Sequence, residues 1–266
     1  MTNIQKVIKI IAIALAIILI VNIFSLLVSL FSSFTNIDFN NEKEITFNEQ
    51  YDNVERIEID GVSASITVEE GTNFGVKTIN LDKGFTSKLR NKTLKIKENK
   101  TWFFSNNDNS QIIITVPSNT TLKELSINTG AGQFIIDSIN AKEFELDHGA
   151  GLLKIANSTF YKADIDGGAG EIRIQNTTIS NLELDSGVGE VDVEADITNN
   201  SEISCGVGEV NITLLGNEED YSIRTEKGIG SIKINNIEQP NNTVYGRGTR
   251  KIEVEGGVGS INIDFK

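Results

Sequence analysis

A chain of 266 residues with 23 glycines, two prolines and one methionine, rich in Ile, Thr and Asn, has the composition of a β protein rather than a helical one. A formal charge of −13 argues against nucleic acid as a partner and for either solubility or attraction of cationic ligands. One cysteine, Cys205, excludes an internal disulfide framework and a cysteine zinc site, and one histidine, His148, removes most other zinc constellations.

In chain order the first feature is apolar. Between Lys9 and Asp38 no charged residue occurs, and "IIAIALAIILIVNIFSLLVSLF" is long enough to cross a bilayer, which takes about 20 residues. A cleaved signal peptide is the rival, but the stretch is long for an h-region and no small-x-small cleavage pattern follows cleanly. The expectation is a cytoplasmic tail over 1–6, an uncleaved transmembrane signal-anchor helix over 7–31 and a linker over 32–50. Lys6 and Lys9 precede this segment while Asp38, Glu42 and Glu44 follow it, so the positive-inside rule predicts a cytoplasmic N-terminus and an extracellular C-terminal domain at the cell membrane.

Residues 51–127 read as an N-terminal β region. "IEIDGVSASITV" (57–68) matches the later "FELDHGAGLLKI" (144–155) position for position, with Val62 and Ala64 in place of glycines, and so predicts a degenerate coil. It is followed by "LKIKENKTWFFSNNDNSQIIITVP", which predicts two strands joined by a long polar loop, a hairpin-like insertion. Trp102, Phe103 and Phe104 in that loop are candidates for docking a partner or for covering an open end of the fold.

From residue 128 to the end the chain repeats. Gly-x-Gly pairs begin at 130, 149, 168, 187 and 206, nineteen residues apart each time, and again at 228 and 257. Each pair precedes a period-2 strand with apolar alternate residues, such as Phe134/Ile136 and Leu153/Ile155. The regular units are also entered through a second strand, with Leu125/Ile127 or Phe144/Leu146 inward. A two-stranded unit cannot bury its apolar face alone, whereas stacked units form a continuous core. The prediction is an all-β fold, a β-solenoid of about 19-residue coils with the glycines at the corners. "EQPNNTVYGRGTR" (238–250) reads as an excursion, and the last strand is expected to cap the stack or pair with something.

Little points to catalysis. The position that carries Asp in the calcium-binding nonapeptide is apolar in these units, and no Gly-Lys-Ser/Thr follows the glycines. Cys205 and His148 both stand just before a first glycine, but three coils apart, so at ~4.8 Å per coil they lie about 14 Å from one another. No catalytic residue and no cofactor is expected.

The strongest polar signal is acidic columns. Asp147, Asp166 and Asp185 stand two residues before a first glycine; Glu145, Asp164, Glu183 and Glu202 stand four before; Glu171, Glu190 and Glu209 stand three after. Alternation points all of them outward. At ~4.8 Å, neighbouring carboxylates in water repel by about 0.9 kcal/mol, which suggests that something offsets the cost. Asp147, Asp166, Asp185, Glu171, Glu190 and Glu209 are therefore candidates for a divalent-cation surface, with Ca2+ as the ion to test, or for cationic ligands; the simpler reading is solubility.

The anchor, the repeated "GAG" or "GVG" followed by alternating strands, and "IIITVPSNTTLKELSI" (112–127) together resemble a bacterial family of β-strand-repeat, adhesin-type, LiaG-like membrane-anchored proteins. The resemblance implies a right-handed, extracytoplasmic β-solenoid in a Gram-positive cell envelope, with no catalytic residues to carry over. It suits a non-enzymatic scaffold or binding module, involved in the envelope-stress response, whose partner is a cationic peptide, a cell-wall polymer or another envelope protein. The alternative is a β-helix enzyme acting on surface polysaccharide, for which Lys154 and Arg173 would supply the basic spot. A third reading, filaments joined through the solenoid ends, follows from the exposed coil edges.

Overall fold

The computed structural model of the protein describes residues 45–62, 64–81, 84–98 and 110–266. The expected tail at 1–6, the transmembrane helix at 7–31 and Trp102, Phe103 and Phe104 lie outside the described residues, as does the linker up to residue 44. Among the described residues no helix is long and apolar enough to cross a membrane. The remainder of the expected linker is not a linker: β1 (Ile45–Tyr51) is a strand, paired antiparallel with β4 (Phe74–Ile79).

The regular repeats form as expected. β8 (Thr121–Asp137), β9 (Asn140–Ala156), β10 (Thr159–Ile197) and β11 (Ser201–Leu214) stack in parallel, each residue over its counterpart nineteen positions away. Leu125 pairs with Phe144, Phe144 with Ala163, and Leu184 with Ile203. Every expected inward residue is buried, in one continuous apolar core. The strands do not stop at Gly-x-Gly; the ladder bends and runs on, so β10 covers two coils without a break.

The first coil is built as its sequence match implies, with one change at its corner. β2 (Arg56–Val62) lies on the first arm of β8, Ile57 on Leu125, and β3 (Ser65–Gly71) lies on the second arm, Ile66 on Phe134. Val62, however, pairs with Thr129 rather than standing over Gly130. Gly61 is the extra residue of a β-bulge, at φ 67°, and so Val62 turns into the core at 1% exposure.

The insertion is not a hairpin. β6 (Thr93–Glu98) pairs in parallel with β2, and β7 (Gln111–Pro117) in parallel with β3. They are the two arms of another coil, with Leu94/Ile96 and Ile112/Ile114 as its inward pairs. Beyond it run β4, antiparallel to β7, and β5 (Phe85–Arg90), antiparallel to β6. The coil of β2 and β3 therefore sits between two segments that follow it in sequence.

The other end is permuted as well, and of the two expectations for the last strand it is pairing, not capping, that holds. β15 (Arg250–Phe265) is inserted between β11 and β12 (Tyr221–Ile234), parallel to both: Ile203 pairs with Val254, and Val254 with Thr225. β12 is the terminal coil. The excursion covers its edge antiparallel as β13 (Ile237–Glu238) and β14 (Thr243–Gly246).

Candidate binding surfaces

Stacking brings the expected carboxylates together. Asp147 is in register with Asp166, Glu145 with Asp164, Glu183 with Glu202, and Glu190 with Glu209. The inserted β15 extends these columns with residues whose alignment was not part of the expectation: Glu253 on Glu202, and Glu255 on Ser204, followed by Glu226. Their positions four and two before Gly257, and two before Gly228, carried the signal. Partial burial, with the charges of Asp164, Asp185 and Asp147, raises the Asp166 carboxyl above its usual range. Burial, with Asp192, Glu171 and Glu209, does the same for Glu190.

The columns on the two arms differ in how their charge is met. Glu171 is hydrogen-bonded by Arg173, which also lies 3.9 Å from Asp192, and Glu209 accepts a hydrogen bond from Asn262 Nδ2 at 3.1 Å. On the first arm Asp164 has Lys162 at 3.3 Å, and Glu253 has Arg224 at 3.7 Å. Among the described residues no three of His, Cys, Asp and Glu converge as a metal-holding group. Adjacent carboxylates stand side by side as ladder rungs, a geometry that offers an extended field rather than a closed oxygen cage. The six expected metal residues are thus split between two arms, Asp147, Asp166 and Asp185 on one and Glu171, Glu190 and Glu209 on the other.

Cys205 and His148 are not turn substituents. They occupy an inward column with Thr129, Gly167 and Ser186 and are each 4% exposed. Three strand steps separate them. Burial pushes the Cys205 thiol up and the His148 imidazole down to about 4, so neither group is prepared as nucleophile or base. Lys154 and Arg173 are adjacent as expected, with Arg173 held by carboxylates.

A feature that the sequence reading passed over lies at the opposite corner. Asn157 and Asn176 hold positive φ, 53° and 47°, where the second arm turns into the next coil. Asn176 Nδ2 donates to Asn157 Oδ1 at 2.7 Å, and Asn157 Nδ2 to Asp137 Oδ1 at 2.8 Å. Asparagine is there because it tolerates the left-handed turn and forms a ladder. Nineteen-residue spacing was the available signal.

No curated protein matches this chain. A crystal structure of a protein described as a cell-adhesion protein, from Clostridium sporogenes, is similar at 20% identity and a TM-score of 0.42, over 85% of this chain and 100% of its own. An adhesin-named protein from Bacteroides fragilis is similar at 15% identity and a TM-score of 0.44, over 86% and 100%. A protein from Parabacteroides distasonis named for lipid binding is similar at 18% identity and a TM-score of 0.46, over 85% and 98%. The model of the toastrack DUF4097 domain matches residues 54–263, from the first degenerate coil through the inserted last strand. The chain belongs to the toastrack DUF4097 family.

Proposed function

We propose that the protein is a non-enzymatic binding module of the bacterial cell envelope, anchored by its N-terminal apolar segment, with the solenoid outside and its acidic faces holding a polycationic peptide or basic protein segment. The observation that carries this reading is the in-register stacking of carboxylates on successive strands, with Asp166 and Glu190 each raised by burial and by its own neighbouring carboxylates. A ladder of like charges about 4.8 Å apart is relieved best by a ligand carrying many positive charges along its length. A single bound Ca2+ would relieve one rung. Burial of the Cys205 thiol and of both His148 ring nitrogens supports a non-enzymatic role.

The test is titration of the full-length protein in detergent with decalysine. Binding is expected to weaken steadily with added salt, because exposed charges are screened beyond about 10 Å at 0.1 M. Replacing Asp166, Asp185 and Glu183 together by Asn, Asn and Gln should weaken it by about tenfold. Calcium and magnesium should raise the thermal midpoint equally. Absence of binding at low salt, or an affinity untouched by the triple substitution, would refute this reading.

A further inference from the structure

One stretch of the first arm sets cations beside its acidic column. A groove of about 550 Å³ crosses the outer face from β10 through β11 and β15 to β12, with Val244 of the edge strand at its end. It is lined by three cations, Lys162, Arg224 and Lys251, and by three carboxylates, Glu183, Glu202 and Glu253. The groove therefore has no net charge, on a chain whose formal charge is −13. Asn181 and Asn200 stand between the charged residues. Lys251 pairs with Ser222 in the ladder, and among the described residues neither its ammonium nor the Asn200 amide has a side-chain partner.

Next to the lining residue Lys162 in the chain, though not itself part of the lining, stands Tyr161, with 65% of its surface exposed. Its carbonyl is held by Nδ2 of the lining residue Asn181 at 3.1 Å, which fixes the Tyr161 backbone beside the groove. The other large aromatics of this region, Phe144 and Phe160, are stacked inside the core. A tyrosine ring left outside presents an apolar face and a polar tip to whatever lies along the groove.

We propose that this groove binds a neutral, hydroxyl-rich glycan chain laid along the solenoid axis, with Tyr161 as the stacking platform and Asn181, Asn200 and the flanking ionic groups gripping hydroxyls. A sugar hydroxyl both donates and accepts, and a lining that sets a row of ammonium and amide groups beside a row of carboxylates satisfies both functions without selecting a charged ligand. Five strands lie across the groove, so four steps of ~4.8 Å give a track of about 19 Å, which suits an extended oligomer rather than a single sugar. The groove shares Glu183, Glu202 and Glu253 with one acidic column, so the two sites adjoin, and Lys162, Arg224 and Lys251 beside those carboxylates make this stretch the least favourable for a polycation.

The experiment is isothermal titration of the full-length protein with an N-acetylglucosamine hexamer and with cellohexaose, with decalysine as the control ligand. At least one oligosaccharide should bind with an affinity insensitive to salt. Tyr161→Ala and Asn200→Ala should each weaken it by about tenfold while leaving decalysine binding and the thermal midpoint unchanged. The triple substitution at Asp166, Asp185 and Glu183 should do the reverse for decalysine, except for whatever the groove's own Glu183 contributes, which Glu183→Gln alone measures. Failure of both oligosaccharides to bind, or binding indifferent to both Tyr161→Ala and Asn200→Ala, overturns the glycan groove and leaves the polycation reading to its own result.

Discussion

Gly170 shows why the corner motif repeats. A Cβ built there would lie 1.9 Å from the carbonyl oxygen of Gly151 in the coil below, and the backbone holds φ 141°. Sterics and conformation both require glycine, so Gly170→Ala should cost about 3 kcal/mol or more, read as a lower urea midpoint at unchanged slope. Gly130, with nothing within 4 Å of its missing Cβ, is the internal control and should tolerate Ala. His148 is a second residue with a measurable signature. Neither ring nitrogen has a hydrogen-bond partner, and the imidazole packs edge-on to Phe134 at 4.8 Å. Burial lowers its pKa from 6.5 to about 4, against a smaller upward pull from Asp147. The unfolded chain then takes up a proton that the folded chain refuses, so stability is lost as pH falls from 6.5 towards 4, by at most about 3 kcal/mol. The raised Asp166 and Glu190 carboxyls act in the opposite sense, since their protonation favours the fold. Urea midpoints of the wild type and of His148→Ser, compared at each pH, cancel the carboxylates; the difference should be constant above pH 6.5, move against the wild type as pH falls from 6.5 to 4, and be constant again below 4. A difference that does not change with pH would show that the imidazole is not held neutral.

Among the elements, β15 has the most to test. It buries Ile252, Val254, Ile261 and Ile263 between two coils that precede it in sequence, and Phe265 packs on Tyr221 and Tyr245. Arg250, at its start, donates to Asp196 Oδ1 at 2.8 Å and to the Tyr221 hydroxyl at 3.2 Å, while that hydroxyl donates to the Leu215 carbonyl at 3.0 Å. The chain end is fastened as well, with the Lys266 amide donating to the Leu214 carbonyl at 3.0 Å. A chain ending at Thr249 should therefore lose amide protection over all of β12 while β9 to β11 keep theirs, as read by hydrogen exchange. In a sequential stack the same truncation would remove an end coil and leave β12 protected.

At the scale of the whole molecule both ends are closed by antiparallel strands: β4 and β5 with β1 at one, β13 and β14 at the other. Pro240 lies in the excursion that covers β12 and has no amide hydrogen to offer another chain. The coils of the filament reading are thus not open at these ends, and any end-to-end joining would have to run through the short edge strands β1, β5, β13 and β14. Long acidic columns on the lateral faces act against association as well, because like charges on two copies repel. Among the described residues the lateral surface carries an acidic field and a charge-balanced groove.

The register of the regular coils was legible in the sequence because it rests on two local quantities, a side-chain period of two and a nineteen-residue offset, which together assign every residue from 121 to 214 a face and a neighbour. The acidic columns followed from the same arithmetic, and so did the need for glycine at the corner. The order of the end coils did not follow, because every coil presents the same kind of edge and Val254 can pair with an Ile203 or a Thr225 equally well by pattern. Only the packing of Tyr221, Arg250 and Phe265 decides that the last strand enters between β11 and β12. The coil of β6 and β7 was hidden for a related reason: no Gly-x-Gly stands between its arms in the sequence, so only the inward pairs Leu94/Ile96 and Ile112/Ile114 mark it. The glycan groove depends on β12, β14 and β15 coming together with β10. The sequence by itself determined the coil and its repeat, since these arise from short-range periodicity; tertiary packing decided the order of the coils and the binding surface that this order creates.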